Sequence, residues 1–208
     1  MQNNINEIIL NLKEYENFIQ PYRNVMKEIE VNLEALDIEY KRKYDHNPIH
    51  SIQSRIKSLS SIFEKLNRKD LEQSFQSAME NLKDIAGIRV ICYYIQDVYT
   101  IIDKLKKQSN IVVIKEKDYI KNPKPNGYRS YHLIVGGVVY EDEEKQYYPV
   151  EIQIRTLSMD FWASIEHQLC YKASNKRREE VFSELKEYSE ILNNMGMRME
   201  RFHDGYIN

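Results

Sequence analysis

The sequence predicts an α+β fold: a mixed sheet of about five strands flanked by helices, with helical extensions at both ends. Apolar residues recur at helical spacing near both termini. Between them lie short runs rich in β-branched and aromatic residues, bounded by Gly, Pro and Asn. Residues 150–156, VEIQIRT, alternate strictly. Val150, Ile152 and Ile154 fall on one side and Glu151, Gln153 and Arg155 on the other, the period of an extended strand. At 208 residues the chain is long enough for one domain with a sizeable core.

Taken in order, Ile5, Ile8, Ile9, Leu12 and Tyr15 predict a first helix, and Pro21 a break. A second helix follows, carrying Tyr22, Val25, Met26, Ile29, Leu33, Leu36 and Tyr40. Asn47-Pro48 closes this region, and a third helix is predicted from the serines after Arg55, with Ile62, Phe63 and Leu66. The period then changes. Gly87 to Ile95 (GIRVICYYI) reads as a strand, Val98 to Leu105 as a helix, and Ile111 to Ile114 as a second strand. A loop around Pro123, Pro125 and Gly127 leads into YRSYHLIVGGVVY, a long strand expected to bend at Gly136-Gly137. The acidic turn Glu141 to Glu144 joins it to the strand of Glu151. Beyond Thr156 helix resumes, with Met159, Trp162, Ile165, Glu166 and Leu169 on related faces. In the last helix Val181, Leu185, Tyr188, Leu192, Met195, Met199 and Phe202 follow steps of four and three, a heptad seam. So narrow a seam suits a subunit interface better than packing on the chain's own N-terminal helices.

A net charge of −2 argues against a protein that holds nucleic acid by bulk electrostatics. The sign is uneven, however: between Lys104 and Arg129 eight Lys or Arg stand against Glu116 and Asp118. That stretch suits a compact polyanion, although a solvated surface has the same composition. Cys92 and Cys170 form no disulfide framework or zinc spacing. The first ten residues lack the basic and apolar regions of a signal peptide, and no apolar run is long enough for a bilayer. A soluble, cytoplasmic protein of a reducing compartment is expected.

Polar residues stand where a core would be apolar. Asp84 precedes the first strand, Arg89 interrupts it, and Glu151 projects from a later one. Two carboxylates on adjacent strands, completed by phosphates, suit Mg2+, which keeps several waters and needs few protein ligands. Each carboxylate taken alone also reads as a cap or a salt-bridge partner. Arg55 and Lys57 in SRIK, with Lys65 beyond, offer charge to a triphosphate. Arg55 and Arg89 can stack on a purine. Tyr128, just after Gly127 and near Lys124, Asn126 and His132, can form a platform for a second base. Two nucleotides meeting at a metal is the chemistry these residues suggest.

KDIAGIRV, KDYIKNPKPNGYRSYH and EIQIRTLSMDFWASIEHQLCYK closely resemble the synthetase domain of RelA/SpoT-type alarmone enzymes, from about Pro48 to Lys172. The length suits a small alarmone synthetase of the RelQ type, without the hydrolase and regulatory domains of larger members. The resemblance implies a nucleotidyltransferase-like synthetase fold. It also implies transfer of the β,γ-pyrophosphate of ATP to the ribose 3′-hydroxyl of GDP or GTP, releasing AMP, in the stringent response. It implies that Asp84 holds Mg2+ and that Glu151 contacts the metal and takes the 3′-hydroxyl proton. Arg55 and Arg89 would sandwich adenine, and Lys57 and Lys65 would serve the ATP phosphates. Tyr128 would stack on guanine beside Asn126 and His132, with Lys124 and Arg129 facing the acceptor's phosphates. Gln153 and Arg155 would support the site, and His167 and Lys172 match the helix closing the motif. Some relatives carry an acidic triplet before the guanine loop; Lys115, Lys117 and Asp118 give the basic form. The expected organisation is an N-terminal helical extension at 1–46, an alarmone synthetase domain at 47–174 and an oligomerisation helix at 175–208, assembling as a homotetramer.

RelQ-type relatives can bind product in a central cleft and be activated by it. Glu30, Glu34, Ser51 and Asp160 depart from the residues expected for that cleft, so assembly with weak or absent product activation is expected. Three other readings stay open at this point: a transfer RNA or adenine-nucleotide acceptor, GMP as a further guanine acceptor, and a non-catalytic module binding single-stranded RNA. RNA could also act as a regulator of synthesis.

Overall fold

The computed structural model describes residues 2–141, 144–172 and 178–207, with side chains described for 12–139, 145–169 and 180–205. The elements are α1 (Gln2–Tyr44), β1 (Ile49–Ile56), α2 (Leu59–Asn67), α3 (Phe75–Asn81), β2 (Ala86–Cys92) and α4 (Ile95–Lys106). They continue with β3 (Ile111–Asp118), β4 (Tyr131–Glu141), β5 (Glu144–Thr156), α5 (Leu157–Lys172) and α6 (Arg178–Ile207). The five strands form one mixed sheet in the order β1-β2-β5-β4-β3. Only β2 and β5 run parallel; the other neighbours are antiparallel. Among the described residues no helix is long and apolar enough to cross a membrane.

The alternation read in residues 150–156 is the alternation of the sheet. Val150, Ile152 and Ile154 are buried with Ile88, Val90, Leu133 and Val135 beneath α1 and α4. Glu151, Gln153 and Arg155 face the other way, and register extends that polar face sideways. Gly87 pairs with Glu151 and Arg89 with Gln153. His132 also pairs with Gln153, Lys117 with His132, Gln53 with Arg89, and Arg55 with Gly87. One face of the sheet makes the core and the other carries the chemistry.

Two expectations need correction, and two features are added. The helix break at Pro21 does not occur, because α1 runs through it. An internal proline costs about 3 kcal/mol. Ile19 before it and Tyr22, Val25, Ile29 and Leu33 after it are almost fully buried, each worth roughly 1.5–3 kcal/mol, so packing outweighs the lost hydrogen bond. Residues Ile49–Ile56, for which the sequence pattern predicts no element, form a strand, β1. The β4–β5 ladder runs through Gly136-Gly137 without a register shift. Gly137 admits α1, since a Cβ there would lie within van der Waals overlap of Val25 Cγ1. Finally, β3 extends four residues past Ile114, so Lys115 and Lys117 lie on a strand.

The last helix packs on α5 rather than on α1, and its heptad pattern divides between two faces. Leu185 and Ser189 are buried inward, whereas Tyr188, Met195, Met199 and Phe202 are exposed. The side chains of Ile5, Ile8, Ile9, Cys170 and Lys172, and the centre of the acidic turn at 142–143, lie outside the described residues. Cys92 is a buried free thiol whose pKa burial raises well above the usual range.

Candidate active site

Strand pairing assembles the first half of the site. After the last rung of β1 and β2, Lys57 N donates to the Ile85 carbonyl at 2.8 Å, setting Lys57 beside Asp84. Tyr15 Oη of α1 holds the Lys57 carbonyl at 2.9 Å. Lys65 arrives on the last turn of α2, a helix started by Ser58, whose hydroxyl accepts from Ser61 N. Asp84 Oδ2 then receives Lys65 Nζ at 2.5 Å and Lys57 Nζ at 3.0 Å. Burial pushes the Asp84 carboxyl up, but the two ammonium groups outweigh it and hold the pKa below the usual carboxylate range. Asp84 Oδ1 is buried and has no hydrogen-bond partner.

Asp84 and Glu151 line one cleft of about 210 Å³, together with Arg55, Gly87, Arg89 and Gln153. Gln153 Nε2 donates to Glu151 Oε2 at 2.9 Å, and His132 Nδ1 lies 3.6 Å from Glu151 Oε1. The His132 imidazole pulls the Glu151 pKa below the usual range, against burial and the charge of Asp84, which push it up. The imidazole's other nitrogen, Nε2, lies 2.8 Å from Tyr128 Oη, which itself receives Arg155 Nη2 at 3.2 Å. Arg155 can only donate, so Tyr128 Oη accepts from it while staying in hydrogen-bond contact with the imidazole. Among the described residues no group of three or more His, Cys, Asp or Glu could hold a metal. A divalent cation would rest on Asp84 and Glu151 plus oxygens brought by substrate, as Mg2+ accepts. The orphaned Asp84 Oδ1 fits that use.

Arg55 and Arg89 are diagonal neighbours on β1 and β2, because Arg55 pairs with Gly87. Such neighbours stand roughly 7–8 Å apart, enough for one flat ring between two guanidinium planes. A Cβ on Gly87 would meet only the Glu151 carbonyl, at 3.8 Å. Gly87→Val should therefore fold with a melting temperature near the parent's. It should also raise the KM for a purine nucleotide by roughly 10- to 100-fold, the cost of overfilling a packed site. Steady-state kinetics beside a thermal melt checks this; unchanged KM would mean no ring lies there.

On the opposite flank Lys124 Nζ sits 4.6 Å from the Tyr128 ring centroid and Arg155 Cζ 5.6 Å. Tyr128 N donates to Asn126 Oδ1 at 3.1 Å, and Asn126 Nδ2 approaches Glu166 at 3.5 Å. Arg155, only 3 % exposed, also donates to Gln153 at 2.5 Å and to Asp160 at 3.2 Å. Arg129 is not brought to this cluster: its guanidinium donates to Glu190 of α6 and to the Ile120 carbonyl. His167 is exposed on α5. Two residues escaped the sequence reading. Tyr119 packs edge-on against Tyr128 and His132, and nothing distinguished it among 16 tyrosines. Asp160, read only as a regulatory departure, pairs with Arg155 and approaches Arg89 at 3.7 Å. An acid in the first turn of a helix following a strand arginine was the available signal.

Residues 54–176 match the region found in RelA / SpoT proteins. The chain is 39% identical over 188 residues to the GTP pyrophosphokinase YwaC of Bacillus subtilis, covering 90% of each protein. It is 37% identical over 187 residues to the GTP pyrophosphokinase YjbM of the same organism, covering 90% of this chain and 87% of that one. Among solved structures, the small alarmone synthetase 1 from B. subtilis bound to its product pppGpp matches with a TM-score of 0.81 at 36% identity, covering 93% of this chain and 98% of that one. The small alarmone synthetase 2 from B. subtilis matches with a TM-score of 0.80 at 38% identity, covering 92% and 99%.

Proposed function

The chain belongs to the RelA/SpoT family, and from that premise we propose that it is a GTP pyrophosphokinase. It transfers the β,γ-pyrophosphate of ATP to the ribose 3′-hydroxyl of GDP or GTP, forming ppGpp or pppGpp and releasing AMP. The observation that carries this reading is one cleft holding two carboxylates, with an arginine pair on one flank and an aromatic platform on the other.

Adenine enters between Arg55 and Arg89, and its phosphates draw Lys57 and Lys65 away from Asp84. Guanine stacks on Tyr128, taking the place of Lys124, whose ammonium is then free for the acceptor's phosphates. Glu151, kept ionised by His132 and oriented by Gln153, accepts the proton of the 3′-hydroxyl as its oxygen attacks the β-phosphorus; AMP leaves with the electron pair. Asp84 and Glu151 would hold Mg2+, which when bound neutralises phosphate charge. Alignment and charge neutralisation, rather than covalent participation, are what such transfer needs. Chromatography of products from ATP with GMP, GDP, GTP, ATP or tRNA tests the reading. A new 3′-pyrophosphorylated guanine nucleotide plus AMP supports it, and product only from tRNA or an adenine acceptor contradicts it.

Assembly belongs to the same proposal. The outward stripe of α6, with Met199 57 % and Phe202 66 % exposed, supports association of copies in a homotetramer. Met199→Glu with Phe202→Glu should lower the mass seen by light scattering; an unchanged mass would place the interface elsewhere.

A further inference from the structure

The loop carrying Tyr128 joins β3 to β4, and its tip is fastened to the C-terminal helix. Gly127 has φ +91°, and a Cβ there would lie 2.7 Å from Ser189 Cβ and 3.1 Å from Lys186 Cα, so loop and helix meet backbone to backbone. Ser189, almost fully buried, donates from Oγ to the Gly127 carbonyl at 2.5 Å. Arg129 donates from Nη2 to Glu190 Oε1 at 2.9 Å and from Nη1 to the Ile120 carbonyl at 3.0 Å. One guanidinium therefore joins the start of the loop, its end and α6. The helix is itself anchored, because Trp162 Nε1 of α5 donates to the Leu185 carbonyl at 2.6 Å. The same indole lies 6.2 Å from the Tyr128 ring.

Neither Ser189 nor Glu190 lines the cleft around Asp84 and Glu151. The donor-side groups Lys57, Lys65 and Asp84 are paired with one another and not with α6. The hydrogen bonds that Ser189 and Glu190 make toward the site thus run to the loop.

We infer that Ser189 and Glu190 are positioning residues for the acceptor nucleotide, holding Gly127 and Arg129 so that Tyr128 presents a fixed platform. This deepens the pyrophosphokinase reading and takes its ligand, a guanine nucleotide, from it. Without these ties the loop would sample many conformations, and acceptor binding would bear the cost of ordering it. The acceptor constant should suffer while the donor constant does not.

The experiment compares the full-length parent with Ser189→Ala, Glu190→Gln and the double variant. In the double variant the acceptor KM should rise roughly tenfold, the scale of one or two lost hydrogen bonds, while the ATP KM stays within about twofold. Binding of GDP alone, followed by fluorescence of Trp162, the chain's one tryptophan, should weaken in parallel. Amide exchange across residues 120–130 should quicken. Arg129→Gln with Glu190→Gln should lose no more than Arg129→Gln alone, since the pair acts as a unit. The inference is overturned if acceptor affinity is unchanged in the double variant. It is equally overturned if both KM values and kcat worsen together, as general destabilisation requires. Should the parent make no pyrophosphorylated nucleotide yet bind GDP, the function reading fails and the binding and exchange arms still decide the role of α6. A parent that does not bind GDP overturns both.

Discussion

Replacing Glu151 with glutamine should lower turnover by roughly 100- to 10,000-fold, the usual contribution of a positioned general base. The substitution keeps the shape of the side chain and a hydrogen-bond acceptor for Gln153, but no longer takes a proton or offers a full negative charge. The fold should survive, because the buried side of β5 is made by Val150, Ile152 and Ile154. The loss should therefore appear in kcat, with nucleotide KM values little changed. Rapid-quench measurement of AMP release at saturating substrates checks this; near-parental turnover would remove Glu151 from the chemistry.

Asp84→Asn should cost at least about 100-fold in turnover, on the scale of losing one preorganised charge contact in a closed site. It should also cost stability. The carboxylate receives Lys57 and Lys65, 17 % and 28 % exposed, and asparagine leaves two ammonium groups side by side without neutralisation. We expect about 1–3 kcal/mol at neutral pH, less than for a fully buried pair because all three groups keep some solvent. The sign with pH follows from the depressed folded-state pKa of Asp84. Its stabilisation is fully present above the unfolded value of about 3.9 and disappears as pH falls through the lower folded value. Urea melts of parent and variant should differ at pH 7 and converge in strong acid. A gap that persists at low pH would mean the lysine pairing is not what stabilises the parent.

Much of the fold was legible because burial imposes period. The alternation of Glu151, Gln153 and Arg155 against Val150, Ile152 and Ile154 reappears as the two faces of β5. The spacing of Val98, Ile101, Ile102 and Leu105 reappears as the buried side of α4. β1 was missed since its sequence, IHSIQSRI, gives only a partial alternation: it lies at the sheet's edge, and Gln53, Ser54 and Arg55 line a cleft. Pro21 misled because local backbone cost is visible in sequence, whereas the buried residues flanking it act only once α1 meets the sheet. At the site, the nearness of Asp84 and Glu151 could be suspected from residue type but depends on strand order, which no local pattern encodes. Arg129 shows the opposite limit. Its place in a basic loop suggested a phosphate, and only the arrival of α6, distant in sequence, gives its guanidinium to Glu190.

The parallel pairing of β2 with β5 decides when catalysis can exist at all. Strands β3, β4 and β5 can zip together through neighbouring connections, but β2 reaches β5 only after the intervening chain has looped back on itself. Closing so long a loop carries an entropic penalty before any rung rewards it. A partly folded chain with every helix intact yet lacking this closure has its two acidic groups on unconnected pieces. Competence is a property of the finished topology, not of any autonomous fragment.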